Sequence, residues 1–523
     1  MSQAIESLAA PATPFHSILF GSAGGTSVLL EKEAPACFGD LNLDQIVGSI
    51  TAGRDEYDLK PFFYTPLTSV DAIGYRHEVL RDLENEILSV QIRSFAQKMR
   101  EMRTHLVQAE KLRYKYQKES WFLAAVAIYG DAASCLVRDL SMDDLRSRGL
   151  LAFREYLTTY VQSAGFTSLV EETKRLTDEL SAIRYCLDIN GNRIKVTPYD
   201  SEADYSAVVE RTFEKFKQGA VDSHLAKFLN LLEMNHVEAG ILSLVAELYP
   251  DIFQTLGDFR DRHSNFLDQT VMAFDREVQF YVSYLEYLEQ FRESGLTFCY
   301  PRISDSSKAI SCRDAFDLAL AKKLMPDHAS VVPNDFYLEG GERILVVSGA
   351  NQGGKTTFAR AFGQVHYLAS LGVLVPGRDA QLFLFDRLFT HFEKEEDLHR
   401  LSGKLEDDLI RAHKIFAQAT GDSILIMNEI FTSTTLKDAV YLGTEVMRRI
   451  IRLGMLCVCV TFVDELSSLS EETVSLVASV APNDPVGRTY KIVRRPADGL
   501  AYAAAIAKKY GLAYETLKER IAS

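Results

Sequence analysis

The feature that most narrows what this chain can fold into is Gly349-Ala-Asn-Gln-Gly-Gly-Lys-Thr-Thr357, which fits the pattern G-x-x-x-x-G-K-[ST]. It follows an apolar run of strand length, Ile344-Leu-Val-Val-Ser348. It precedes a segment in which Phe358, Phe362, Val365 and Leu368 share one helical face. A buried strand, a glycine-rich loop and a helix in that order make a phosphate-binding loop and require an α/β domain around them. Gly349, Gly353 and Gly354 let the backbone turn so that successive N–H groups face the phosphates, and the helix adds its positive end. The ATP-binding set predicted from the loop is Gly349, Ala350, Asn351, Gln352, Gly353, Gly354, Lys355, Thr356 and Thr357. Within it the Lys355 ammonium reaches the β- and γ-phosphates, and the Thr356 hydroxyl ligates magnesium.

A loop of this kind needs a second strand that carries an acidic group to the metal and the attacking water. Ser423-Ile-Leu-Ile-Met427 has the right form, and it ends on Asn428 and Glu429. Glu429 is the candidate catalytic base. Asn428 stands where an Asp is expected: its amide oxygen can still accept a bond from a metal-bound water, but the negative charge is gone. The predicted cofactors are ATP and Mg2+, the metal resting on Thr356 and Asn428 and binding more weakly than it would beside a carboxylate.

Composition limits what else the chain can be. Its 523 residues, 47% hydrophobic and 25% charged, suffice for several real cores. A formal net charge of -15 excludes a surface that clings to nucleic acid everywhere, so any DNA contact must be local. The seven cysteines are odd in number and scattered, with no C-x-x-C pair to hold zinc, and a reducing, cytoplasmic setting fits them best. Cys457 and Cys459 lie two apart in an apolar run and should share one strand face as small buried side chains. The first basic residue is Lys32 and Glu6 breaks the early apolar stretch, so no secretory signal is expected. No uninterrupted apolar run is long enough to span a bilayer, so no membrane partner is expected.

Three regions follow from the patterning. Residues 1–60 mix Gly, Pro and short apolar pieces and form a small amino-terminal region. Residues 61–310 are mainly helical. Leu267, Val271, Phe274, Val278, Tyr281, Leu285 and Leu288 form a stripe on one side of a long helix, with Asp268, Arg276, Glu277, Glu286 and Glu289 on a solvated face. Tyr185 to Val196 interrupts the helices as a β-hairpin near residues 185–196, turning at Asn190-Gly191 in type I′ geometry. Residues 311–523 alternate strands and helices, with candidate strands at Ile344–Ser348, Gln381–Phe385, Ser423–Met427 and Leu456–Thr461 in a largely parallel sheet.

At these motifs the sequence resembles the MutS family. That family's loop reads G-P-N-M-G-G-K-S-T, and Asn351 with the Gly353-Gly354 doublet are shared. Phe385-Asp-Arg-Leu-Phe-Thr390 is similar to its D-R-I-F-T-R stretch, and Met427-Asn-Glu-Ile-Phe-Thr-Ser-Thr-Thr435 to its M-D-E-I-G-R-G-T-S. Val332-Pro-Asn-Asp335 resembles the segment that borders the adenine, which adds Val332 and Asn334 to the ATP-binding set. Phe63 to Arg76 resembles the start of the family's helical core. The resemblance implies an ABC-type P-loop ATPase domain at the carboxy terminus, preceded by a helical core with lever arms. It also implies a homodimer in which a serine-bearing loop of the partner completes each nucleotide site, with Ser402 as candidate. Two departures, Asn428 and Phe462 in place of a γ-phosphate-sensing His, imply ATP binding with slow hydrolysis. The residues before the helical core carry no Phe-x-Glu mismatch wedge, and after Tyr514–Ile521 no room is expected for a small nuclease domain.

Family likeness therefore favours a dimeric ATPase that engages DNA structures in repair or recombination, ATP setting the closure of its arms. The alternative is a nucleotide-gated scaffold for a protein or ribonucleoprotein partner, with little hydrolysis. An ABC-type arm of a chromosome-structuring complex is weaker, because the helical region is short for a long coiled coil. Lys111-Leu-Arg-Tyr-Lys-Tyr-Gln-Lys118 is the one local basic and aromatic cluster; it reads first as a solvated face with inward Tyr rings and second as a DNA contact.

Overall fold

The computed structural model describes residues 15–21, 29–201, 212, 234–393, 403–481 and 484–497. They divide into two units: Glu86–Leu145 with Ala152–Asp275, and Met1–Asn85 with Arg146–Leu151 and Arg276–Ser523.

The first unit is helical. Helices Glu86–Lys111 and Lys115–Met142 run back on one another, the chain reversing at Leu112–Tyr114. The second of these is long and apolar enough to cross a membrane by length and composition, although its longest charge-free run is Ser120 to Gly130. Its large side chains are taken up inside the unit: Phe122 meets the Phe259 and Phe266 rings edge-on, and Tyr129 meets Phe166 and Phe266. Phe153 stacks on Phe274 with centroids 3.6 Å apart. The basic cluster forms the helix reversal. Lys111, Arg113 and Lys115 are exposed there, while the Tyr116 ring turns in against Phe253, 4.9 Å between centroids.

The hairpin is present as β1 (Tyr185–Asn190) and β2 (Arg193–Pro198), antiparallel, but its turn is one residue later than expected. Asn190 pairs with Arg193, so Gly191 and Asn192 are the turn residues, and of these only Gly191 has a positive φ. Type I′ needs positive φ at both central positions, so the sequence assignment of I′ is wrong.

The second unit holds two larger sheets. Its strands are β3 (Phe298–Cys299), β4 (Arg302–Ser304), β5 (Ile310–Ala315), β6 (Asn334–Leu338), β7 (Ile344–Gly349), β8 (Val375–Pro376) and β9 (Asp379–Phe383). They continue with β10 (Leu388–Phe392), β11 (Ile424–Asn428), β12 (Leu456–Val460), β13 (Thr473–Ala481) and β14 (Asp484–Arg494). The main sheet has the order β10-β11-β12-β7-β13-β14, the first five strands parallel and β14 antiparallel at the edge. Strands β7, β11 and β12 read as unbroken apolar runs because helices cover both faces. Cys457 and Cys459 share one face of β12 in the cluster with Leu425, Met427 and Met447, as small hydrophobes.

The run Gln381–Phe385 does not join the parallel sheet. Its strand, β9, belongs to the four-stranded sheet β4-β9-β5-β6, parallel to β4 and antiparallel to β5. The neighbour of β11 is instead β10, which the sequence reading noted only for its family motif.

The long helix spans Gln269–Glu293, and its solvated face is narrower than expected. Glu277 accepts hydrogen bonds from Ser17 Oγ and from the Ile18 N–H, each 2.9 Å long. Arg276 donates to the carbonyls of Tyr57 and Asp58. Residues some 260 positions away cover this face, which helical periodicity alone cannot register. Nearby, the helix Val70–Leu83 is capped by Ser69 and carries Arg76 fully buried. Arg76 donates to the Leu19 and Leu371 carbonyls, and its guanidinium lies 4.9 Å from the Phe280 centroid.

Candidate functional site

The site forms at the carboxyl ends of adjacent parallel strands, where open α/β sheets place their ligand crevices. Strand β7 ends at Gly349, its neighbour β12 at Val460, and β11, on the far side of β12, at Asn428. Gly349 (φ +102°) and Gly354 (φ +92°) take left-handed conformations, and Gln352 does so at φ +60°. Gly353 is needed for space: a Cβ there would lie 2.9 Å from both the Ala350 carbonyl oxygen and the Ala478 Cβ. The helix Lys355–Ser370 starts directly after Gly354, so its unpaired N–H groups open onto the loop.

Lys355 is 5% exposed. Its ammonium donates to the Gly349 carbonyl (2.9 Å), the Ala350 carbonyl (3.3 Å) and Asn351 Oδ1 (3.2 Å). Burial pulls its pKa below the usual lysine value, and the charge of Glu429 opposes that shift. The Thr356 hydroxyl donates to Asn428 Oδ1 at 3.0 Å, so the two predicted metal-holding groups meet although 72 residues separate them. Glu429 is held at φ +54° with its N–H bonded to the Val460 carbonyl (2.9 Å). The turn that follows has Phe431 at φ +59°, and its N–H donates to Asp408 Oδ2 (3.3 Å). The other Asp408 oxygen pairs with His391 Nε2 at 3.0 Å. Two left-handed non-glycine positions, Glu429 and Phe431, cost strain, and Asp408 helps to hold the second.

A cavity of about 510 Å3 opens over the loop. It is lined by Gln352, Gly354, Lys355, Thr356, Thr357 and Glu429 from the loop and the end of β11, and by Leu320, Leu324, Ala329, Ser330, Val331 and Val332. Tyr490 and Asn334 lie along its wall. A turned glycine backbone with no room for a Cβ, a buried ammonium and a hydroxyl facing an amide oxygen fit a triphosphate and its magnesium.

A family model described as MutS domain V matches residues 345–518. The DNA mismatch repair protein MutS of Orientia tsutsugamushi is 28% identical over 220 residues, 41% of this chain and 24% of that protein. Endonuclease MutS2 of Gemmatimonas aurantiaca is 29% identical over 189 residues, 36% of this chain and 23% of that protein. Over these residues the chain is similar to the MutS family. It spans about a quarter of the length of the curated MutS and MutS2 relatives it matches, and MutS domain V is the family's ATPase domain.

The geometry places the predicted residues unevenly. Val332, Gln352, Gly354, Lys355, Thr356, Thr357 and Glu429 line one cavity, and Gly349, Ala350, Asn351 and Gly353 build the turn beneath it. Asn334 borders the cavity, but its amide is committed to β14: Nδ2 donates to the Tyr490 carbonyl (3.0 Å), and Oδ1 accepts from the Ile492 N–H (2.8 Å). Ser402 lies outside the described residues. Phe462 is 49% exposed just past the end of β12, where the MutS motif has its His. Sequence reasoning missed Arg488, which donates to the Asn351 carbonyl (3.0 Å), and Tyr490. Alternation in Thr489-Tyr-Lys-Ile-Val493 could have revealed a strand, but nothing local says that it borders a loop 137 positions earlier.

Proposed function

We propose that this MutS-like chain binds ATP with magnesium at the Gly349–Thr357 loop and hydrolyses it slowly. The observation that carries the reading is the meeting of Lys355, Thr356, Asn428 and Glu429 around one turned glycine loop. On binding, Lys355 exchanges its bonds to loop carbonyls for bonds to phosphate oxygens, which removes the mismatch of a buried ammonium on neutral acceptors. Thr356 and Asn428 would hold the magnesium, which would supply charge neutralisation at the phosphates. Glu429 takes a proton from the attacking water. Asn428 supplies no charge and Phe462 no polar contact, and both slow that step.

The wider reading follows the relatives named DNA mismatch repair proteins. Residues 311–523 form the ATPase domain, and a homodimer uses nucleotide state to control its grip on a DNA structure. Magnesium-dependent ATP binding, measured by calorimetry, should vanish in Lys355→Ala, and slow turnover should be lost in Glu429→Gln with binding kept. Turnover of many ATP per second would refute slow hydrolysis. Mobility shifts with duplex, mismatched and branched DNA at fixed salt, with and without ATP, test the DNA reading; no shift for any of them would sink it.

A further inference from the structure

The glycine-rich loop packs directly on strand β13. A Cβ at Gly349 would lie 3.0 Å from the Ala478 nitrogen, and one at Gly353 would lie 2.9 Å from the Ala478 Cβ. Strand β13 pairs with β7 as far as Gly349 and runs on to Ala481, past the point where β7 gives way to the loop. Its other partner, β14, is irregular there. The pairing runs from Ala478 with Ile492 to Val480 with Arg488, so β14 spends four residues where β13 spends two. The excess bulges at residues 489–491, where Tyr490 takes a strained φ of +57° and Asn334 holds both the Tyr490 carbonyl and the Ile492 N–H. A bulge bends its strand and re-aims the side chains next to it. Here one of those is Arg488, whose Nε donates to the Asn351 carbonyl at 3.0 Å.

Asn351 therefore stands between two cations: Lys355 takes its side-chain oxygen at 3.2 Å, and Arg488 takes its main-chain oxygen. These oxygens are neutral, and two positive charges gathered on neutral acceptors are costly until an anion joins them. The Lys355 ammonium registers its neighbour. Burial lowers its pKa most, the charge of Glu429 opposes that, and Arg488 adds to the fall. We infer that Arg488 is a second cation of the phosphate loop: across Asn351 it acts with Lys355 on the terminal phosphate of a bound nucleoside triphosphate. The inference rests on the reading of this loop as a nucleotide site. The lysine of such a loop serves the β- and γ-phosphates, and a side chain that shares Asn351 with it stands at the same end of the ligand. Arginine suits that place, because its planar fork carries further nitrogens, beyond the Nε spent on the loop, at the spacing of two phosphate oxygens.

The test is calorimetry on the full chain with two probes, magnesium-ATP and magnesium-ADP, the second lacking the terminal phosphate. Arg488→Gln keeps a donor for the Asn351 carbonyl and removes the charge. It should weaken ATP about tenfold and leave ADP within about twofold. Arg488→Lys, which keeps the charge, should hold ATP within about threefold of the parent. Arg488 is only half-buried, and both variants should melt with the parent. The parent's ATP affinity should also fall more steeply with salt than that of Arg488→Gln. Equal losses of ATP and ADP, or a lysine variant as weak as the glutamine variant, would make Arg488 a mere brace of the loop and overturn the inference. So would a glutamine variant that binds ATP as the parent does. A parent that binds neither nucleotide refutes the nucleotide site itself, and the inference falls with it.

Discussion

Restoring the missing carboxylate by Asn428→Asp tests the metal site directly. Asn428 is 8% exposed and its Oδ1 lies 3.0 Å from Thr356 Oγ1, so a carboxylate oxygen would occupy the same place without repacking. A unit charge about 4 Å from another gains about 4 kcal/mol at an effective dielectric near 20, and a divalent cation doubles that. Against it stands the desolvation of a nearly buried carboxylate, several kcal/mol, together with repulsion from neighbouring Glu429. The net should be about 1.5–3 kcal/mol, which is roughly a 10- to 100-fold lower magnesium concentration for half-maximal ATP binding. The assay is ATP binding titrated with magnesium at fixed ionic strength, followed by single-turnover hydrolysis. Without metal the variant should be less stable than the parent, because a nearly buried carboxylate then has no cation beside it. A magnesium midpoint that is unchanged or raised in Asn428→Asp would refute the argument that the lost charge weakens this site.

Gly353→Ala should lower stability by about 1–3 kcal/mol in a denaturant melt and impair ATP binding, because its Cβ meets the Ala350 oxygen and Ala478 Cβ at 2.9 Å and a backbone oxygen cannot yield as a flexible side chain does. Burial raises the Glu277 carboxyl to about 7. The folded form therefore holds a proton that the unfolded chain releases near 4.5, and this contribution is complete below about pH 4.5 and lost as pH rises through 7. His77 and His366, pushed down to about 4 by burial, tilt part of the same window the other way, so the difference between parent and Glu277→Gln isolates the carboxyl. That difference should shift against the parent by about 2–3 kcal/mol between pH 4.5 and 7.5, and parallel curves would contradict it.

The glycine-rich turn was legible because every device it needs is local. An apolar strand, three glycines, a lysine and an apolar helical face fall within 25 consecutive residues, and short-range sterics decide their conformation. The end of β11 was legible for the same reason: an apolar run that stops at Asn428-Glu429 delivers polar side chains at a strand's carboxyl end. The hairpin was read from its glycine, but the turn register depends on which residues pair across it, and that shifted the turn by one position. Tertiary structure alone decided the partners. The pairing of Thr356 with Asn428, the commitment of Asn334 to β14, the strained Tyr490 and the covered face at Glu277 each join residues between 72 and 260 positions apart. A periodic pattern reports only that a side chain will be buried or exposed along its own element. Which distant backbone group meets it is settled by strand order and by the space left once the sheets have packed, and no local preference encodes that.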